Sequence, residues 1–396
     1  MRVPYGMTVH GQEEIDAVVE VLKTSTQMGK NVNAFEAKVA RLFDKKHGLM
    51  VNSGSSALYL AVELLNLPKG SEVITPVLTF STTVASLVKN GLIPVFIDVE
   101  PDTFLIDIDQ IEATITPNTK AISIPNLLGN IPDWERIAAI AKKHGLKVIE
   151  DSADTLGGTL KGKSSGHYSD ISITSFYGSH VINGAGNGGM LCVNDDEIYR
   201  RGKLLRSWGR SSSIFQESEK IENRFNVELE GVQYDAKFVF EEPGYNLEPS
   251  EISAAFALVQ LEKLDHNITT REQNFEKQYA FFKQYDKWFD MPKQTAETRT
   301  GWLAFPLIVK DSAPFSRTDM QIALEKADIQ TRVIFTGNIL RQPGFKDIKC
   351  VKNPNGYPNA DKVMKGGILL ACHHGLRNEM VEYVHQSFED FAENYK

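Results

Sequence analysis

Apolar residues recur at helical spacing in two early windows. Ile15, Val18, Val19 and Leu22 do so within Gln12 to Thr24, and Phe35, Val39 and Leu42 within Asn33 to Phe43. The pattern then changes to short apolar runs that predict buried strands: Gly48 to Val51, Glu72 to Thr75, Pro94 to Val99, Lys120 to Ile124, Lys147 to Glu150 and Ile171 to Phe176. Helical patterns separate them, one through Leu58, Ala61, Leu64 and Leu65, another from Pro132 to His144 through Trp134, Ile137, Ile140 and Ala141. This alternation predicts an α/β fold with a mostly parallel sheet covered on both faces, whose ligands gather at the carboxyl ends of strands.

The second half reads differently. Ile214 to Glu242 is charged and alternates at Arg224 to Leu229 and Lys237 to Phe240, which predicts a β-hairpin excursion. A helix begins near Ser250 with Ile252, Ala255, Phe256 and Val259 on one face, and a long helical stretch, Arg271 to Trp288, follows. Leu303 to Val309 and Gln330 to Phe335 predict strands, Arg317 to Ala327 and Asn378 to Phe391 helices. The expected division is a large domain over 1–250, with the excursion near 214–242, and a linking helix plus smaller C-terminal α/β domain over 251–396.

Composition narrows the function classes. The 396 residues, 42% of them hydrophobic, supply ample core material, and a net charge of -8 without a basic cluster argues against nucleic-acid binding. No run approaches the roughly 18 apolar residues of a membrane span, and the first residues lack a signal-peptide core. Cys192, Cys350 and Cys372 have neither disulfide nor metal spacing, which places the protein in a reducing cytosol.

Chemistry concentrates at strand ends. Ser175 to Met190 leaves a strand, turns at Gly178, presents His180 and then carries glycine at 184, 186, 188 and 189 before the next apolar run. Glycine at that density signals positive φ or backbone pressed against another group. Asn52 to Ser56 follow another strand and open a helix, a place where backbone N–H groups meet anions; Ser55 as a plain helix cap explains the same residues. Asp151 and Asp154 follow Val148-Ile149, and from the residues alone a cap, a salt bridge or a partner for a protonated heterocycle stays open.

Taken together, these segments resemble the pyridoxal-phosphate-dependent sugar aminotransferases and dehydratases that act on nucleotide-linked sugars. The resemblance runs from around Met28-Gly29 to the last helix. It implies the aspartate-aminotransferase (fold type I) architecture and a homodimer with its site at the subunit interface. Asn52 to Leu58 is similar to the turn that holds the cofactor phosphate, which implies that role for Gly54, Ser55 and Ser56. Thr79 to Thr83 is similar to the segment whose aromatic residue, here Phe80, stacks on the ring. Glu150 to Asp154 matches the stretch that contacts ring nitrogen and ring hydroxyl, implying Asp151 and Asp154. Ser175 falls at a phosphate-facing serine, and Gly244-Tyr245-Asn246 resembles the segment by which Asn246 reaches the phosphate of the neighbouring subunit.

One departure decides the chemistry that the resemblance implies. Where the aminotransferases of the family carry the lysine that binds the cofactor covalently, this chain carries His180. An imidazole moves protons near neutral pH but cannot hold the cofactor covalently. The family's 3-dehydratases show this exchange, and the likeness to them extends to Asn126 to Asn130, Ser207 to Arg210 and Thr336 to Pro343. The implied reaction uses pyridoxal or pyridoxamine phosphate on a nucleotide-linked 4-keto-6-deoxy sugar, with His180 as base, Asp151 at the ring nitrogen, and an amino donor such as glutamate. Some relatives add an iron–sulfur cluster, but the corresponding segment here, Ser211 to Phe215, has no thiol, so neither a cluster nor another metal is expected. Gly186-Asn187-Gly188-Gly189 and Glu248 also depart from the family pattern. Arg206, Arg210, Arg332 and Arg341 are candidates for substrate phosphates or a donor carboxylate, with a surface role as the alternative. An aminotransferase using another lysine, and a non-catalytic cofactor-binding scaffold, are the rival readings.

Overall fold

A computed structural model of the chain describes residues 1–215 and 220–395. Part of the expected 214–242 excursion, residues 216–219, lies outside the described residues.

The expected α/β sheet is present. Its seven strands lie in the order His47–Val51, Gly189–Val193, Ile171–Ser175, Lys147–Ser152, Thr119–Pro125, Glu72–Pro76, Ile93–Ile97. Gly189–Val193 runs antiparallel to both of its neighbours, and every other pairing is parallel. Period-two alternation splits the strands between two buried faces, as a sheet covered on both sides requires. Leu49, Val51, Leu191 and Val193 pack toward the Gly54–Leu64 helix. Met50, Met190 and Cys192 pack toward Lys30–Leu42 and Glu251–Glu262. At the other end, Val148, Ile122 and Ile124 meet Trp134 and Ile137 of the Trp134–His144 helix.

The C-terminal part carries a three-stranded antiparallel sheet of Phe289–Asp290, Phe305–Val309 and Gly367–Leu370. Arg317–Lys326 and Asn378–Ala392 pack beside it. The N-terminus joins this unit: Val3 pairs with Ile329, and the Pro4 carbonyl lies 3.0 Å from Nε2 of His373.

Three sequence expectations need correction. Gln330 to Phe335 is not a strand. Only Arg332 bridges to Leu369, and Phe335 adopts φ 42°, where an L-residue leaves extended structure and the chain turns into Gly337. The long helix spans Leu264–Phe282, so it starts before Arg271 and ends before Trp288; a 3-10 turn, Lys283–Tyr285, closes it. The hairpin exists, but as Val227–Leu229 with Val232–Tyr234, reversing at Glu230 and Gly231, both at positive φ. Lys237 to Phe240 is not its second strand: Asp235 caps a 3-10 turn at Ala236–Phe238, and Phe238 and Phe240 are both exposed.

Candidate active site

Two strand ends and one helix start meet at a cavity of about 480 Å³, at the carboxyl edge of the sheet. Gly54, Ser55, Phe80, Asp151, Asp154, Ser175 and His180 all line it. Ser56 and Asn246 do not. Ser56 sits one turn into the helix, its N–H held by the Ser53 hydroxyl at 3.1 Å, so the helix cap is Ser53 and not Ser55. Asn246 is exposed and pairs with Ser207.

The Gly54–Leu64 helix begins hard against the neighbouring strand end. A β-carbon on Gly54 would stand 2.5 Å from Ser175 Cβ, and one on Gly189 2.2 Å from the Ser53 carbonyl oxygen. Side-chain-free backbone on both sides lets the first helical N–H groups, which have no preceding turn to bond, converge with the Ser175 hydroxyl. The loop bearing His180 is closed by two bonds across its base, Phe176 N–H to the Gly188 carbonyl and Gly184 N–H to the Phe176 carbonyl, both 2.9 Å. Gly186 and Gly188 take positive φ, whereas Gly184 and Gly189 are glycine because other backbone lies against them.

Within that loop, His180 Nδ1 lies 3.1 Å from the Ser175 carbonyl oxygen. A carbonyl only accepts, so Nδ1 carries the hydrogen and Nε2 keeps its lone pair. Nε2 faces Asp154 Oδ1 at 3.9 Å. Burial pushes the imidazole down to about 4, so the ring is neutral at physiological pH. Asp151 accepts from the Thr83 hydroxyl at 2.9 Å and the Ala153 N–H at 3.2 Å, and burial raises it to about 6. Asp154 accepts from the Leu128 N–H at 3.0 Å; burial first, and the Asp151 charge second, raise it to about 7. No lysine is among the described residues lining the cavity.

These residues fit a pyridoxal-type cofactor by their chemistry. A buried carboxylate that is costly to keep charged gains from a cationic ring nitrogen beside it. The helix start and Ser175 supply donors for a phosphate. Phe80, 52% exposed and set edge-on to Phe335 at 5.8 Å, offers an apolar face to a planar ring. Asp154, neutral over part of the physiological range, can donate a proton into the cavity.

Sequence reasoning missed several residues of the wall, among them Tyr5, Ser179, Leu303 and Phe335. Arg271 lies behind it, giving hydrogen bonds to the Ser179, Trp302 and Leu303 carbonyls. Tyr5 and Arg271 arrive from far along the chain in segments without a motif, so no local signal marks them. Two of the four candidate arginines are committed elsewhere. Arg206 is buried against Glu36 at 2.7 Å and the Met50 carbonyl at 2.9 Å, and Arg341 pairs with Asp361 at 2.5 Å. Arg210 lies over the Trp208 ring and Arg332 over the Tyr5 ring.

The sheet, with a helix start and a buried carboxylate lining one cavity at its carboxyl edge, is the architecture of the fold type I pyridoxal-phosphate enzymes. Within that class the chain belongs to the DegT/DnrJ/EryC1/StrS aminotransferase family, whose profile matches residues 9–389. It is 34% identical to the lipopolysaccharide biosynthesis protein RfbH of Salmonella typhimurium, over 98% of this chain and 91% of that one. It is 32% identical to the GDP-4-keto-6-deoxy-D-mannose 3-dehydratase of Yersinia pseudotuberculosis, over 93% and 94%. Among solved structures it is similar to a GDP-4-keto-6-deoxymannose-3-dehydratase with a trapped PLP-glutamate geminal diamine, with TM-score 0.87, 28% identity, and coverage of 98% and 100%.

Proposed function

We infer that this protein is a pyridoxal/pyridoxamine-phosphate-dependent 3-dehydratase of a nucleotide-linked 4-keto-6-deoxyhexose. The observation that carries the reading is His180: an imidazole, with its lone pair turned into the cavity, stands where a transaminase needs an amine, and no lysine is among the described residues of the cavity wall. The bound cofactor supplies an amine to condense with the sugar ketone and a ring to take up negative charge. Ser55, Ser175 and the N–H groups at Gly54 anchor its phosphate, while Ser56, bonded to Ser53 and Asn52, stays outside that contact. Phe80 covers the ring, Asp151 holds the ring nitrogen protonated, and Asp154 stands beside His180 with Oδ1 3.9 Å from Nε2. His180 Nε2 moves the proton, and the apolar wall of Leu127, Leu303 and Phe335 limits water around it.

Glutamate is the amino donor that the likeness to the trapped PLP-glutamate structure supports. The working unit is a homodimer, in which Asn246 serves the neighbouring cavity. Ile221, Val232, Phe238 and Phe240, each more than half exposed, supply apolar surface for that contact. No described helix is long and apolar enough to cross a membrane, and three free cysteines suit a cytosolic enzyme. Cys192 and Cys372 are buried in separate cores, an arrangement that supports chemistry without an iron–sulfur cluster.

The test is incubation with pyridoxal phosphate, glutamate and a panel of nucleotide 4-keto-6-deoxy sugars, read by mass. Loss of the C3 oxygen from one sugar is expected. Transfer of nitrogen to the sugar in its place means an aminotransferase, and cofactor binding without turnover of any panel member means a scaffold.

A further inference from the structure

Of the other titratable side chains lining the cavity, Tyr5, Asp151, Asp154 and Tyr177, Asp154 is the carboxyl that faces the imidazole. Asp154 Oδ1 lies 3.9 Å from His180 Nε2, and each side chain is 13% exposed. The other atom of each group is already engaged, Nδ1 with the Ser175 carbonyl and Oδ2 with the Leu128 N–H. Nε2 and Oδ1 are therefore the atoms left to face each other. Leu128 sits at φ 60°, a conformation that an L-residue keeps only when its surroundings impose it. It fixes the donor that orients the carboxyl. An amide could accept from that N–H equally well, so the bond does not explain why the residue is an acid. At 3.9 Å the gap exceeds a hydrogen bond, but one water or a small side-chain rotation spans it.

We propose that Asp154 and His180 form one proton-sharing pair, in which the carboxyl protonates the departing C3 hydroxyl and the imidazole receives the proton taken from carbon. The proposal rests on the dehydratase reading and deepens it. The C3–O bond breaks with its electron pair on oxygen, and the Asp154 proton turns the leaving hydroxide into water. The proton accepted by Nε2 then crosses to the Asp154 carboxylate, so both groups return to their starting state. No oxidant or further reactant is consumed.

The groups facing the pair agree with this division. Asp151 opposes charge on Asp154, Arg271 favours the carboxylate and disfavours the imidazolium, and the Tyr5 phenol feels the Asp154 charge. The Tyr177 ring flanks the imidazole at 6.0 Å. A carboxyl raised to about 7 holds a proton over the range where an imidazole lowered to about 4 does not. An imidazole so depressed is a weak base alone, and the carboxylate that forms as the Asp154 proton leaves strengthens it.

The test follows the ¹⁵N shifts of the His180 ring and the ¹³C shift of the Asp154 carboxyl against pH, in protein free of added cofactor and sugar. A shared proton predicts that the ring signals move a second time at the pH where the carboxyl titrates, and that Asp154→Asn removes this step. Independent single titrations in the wild-type protein overturn the pair, whether or not the variant folds. In the cofactor-loaded enzyme, Asp154→Asn is expected to lower kcat about 10²-fold with little change in KM. It should also remove the alkaline limb of the pH–rate profile; an unchanged profile likewise overturns the pair. Since the shift measurement uses neither cofactor nor sugar, failure of the pair and failure of the dehydratase reading show separately.

Discussion

Gly54 and Ser175 touch backbone to side chain: a β-carbon on the glycine would lie 2.5 Å from the serine's own. The contact joins a helix start to a strand end and defines the width of the corner proposed above to hold the phosphate. The glycine cannot gain a side chain without parting the two elements.

Gly54→Ala therefore pushes the helix start away from Ser175. The expected cost is about 1–3 kcal/mol in stability from overpacking, and at least a tenfold loss of pyridoxal phosphate affinity, since about 1.4 kcal/mol of lost phosphate contact suffices for that. Absorbance titration of the cofactor and a urea melt check the two effects. Unaltered affinity in a destabilised variant would detach this corner from the phosphate.

His180→Asn keeps a side chain of similar reach and removes the proton-carrying nitrogen. Dehydration should fall by about 10²–10⁴-fold while cofactor affinity stays within about twofold, because the phosphate and ring contacts assigned above come from other residues. Single-turnover mass measurement alongside cofactor titration separates the effects. Turnover near the wild-type rate removes His180 from the chemistry.

Much of this was legible in the sequence where one local pattern sufficed. The strand runs gave the sheet, and the glycine-rich loop after Ser175 proved to be held by the two causes its composition suggested, positive φ at Gly186 and Gly188 and close backbone at Gly184 and Gly189. Helices Asp196–Arg206 and Pro358–Gly366 went unread. Their apolar positions are sparse among charges, and tertiary packing supplies what the pattern lacks. Tyr5 was invisible for another reason. Its place in the cavity depends on Val3 pairing with Ile329 and on Gln330 accepting the Tyr5 N–H, contacts more than 300 residues apart in sequence. Phe335 failed as a strand residue because its apolar neighbours mimic alternation, while its backbone is left-handed.

Asp151 gives the apoprotein a pH dependence of definite sign. Its folded pKa is raised from 3.8 to about 6, so its contribution to stability is complete below pH 3.8 and is lost as pH rises through about 6. At alkaline pH this amounts to a penalty of about 3 kcal/mol at most. Asp151→Asn should then melt higher than wild type above that pH, with the difference vanishing in acid, and should bind cofactor more weakly because the ring nitrogen loses its counter-ion. Thermal melts of both apoproteins across pH test this, and parallel curves would contradict it.

Glu251 is the residue whose loss should reach the site from farthest away. Its carboxyl, 3% exposed, accepts the N–H groups of Gly29 at 2.6 Å, Asn31 at 2.9 Å and Val32 at 3.0 Å. The Lys30–Leu42 helix has no side-chain cap of its own, so a residue some 220 positions away supplies one, and a negative charge suits that helix end. The helix in turn sets Phe35 edge-on to Phe176 at 4.8 Å, and Phe176 anchors both ends of the loop carrying His180. Glu251→Gln should cost about 1–2 kcal/mol and Glu251→Ala about 2–3 kcal/mol, the larger value because three buried donors lose their acceptor. The urea midpoint should fall at constant m-value. In the alanine variant, amide exchange of the 176–188 loop should quicken before that of the sheet strands, since local opening follows the weakest contacts. Uniform acceleration across loop and sheet would mean that the cap supports the fold as a whole and not the His180 loop in particular.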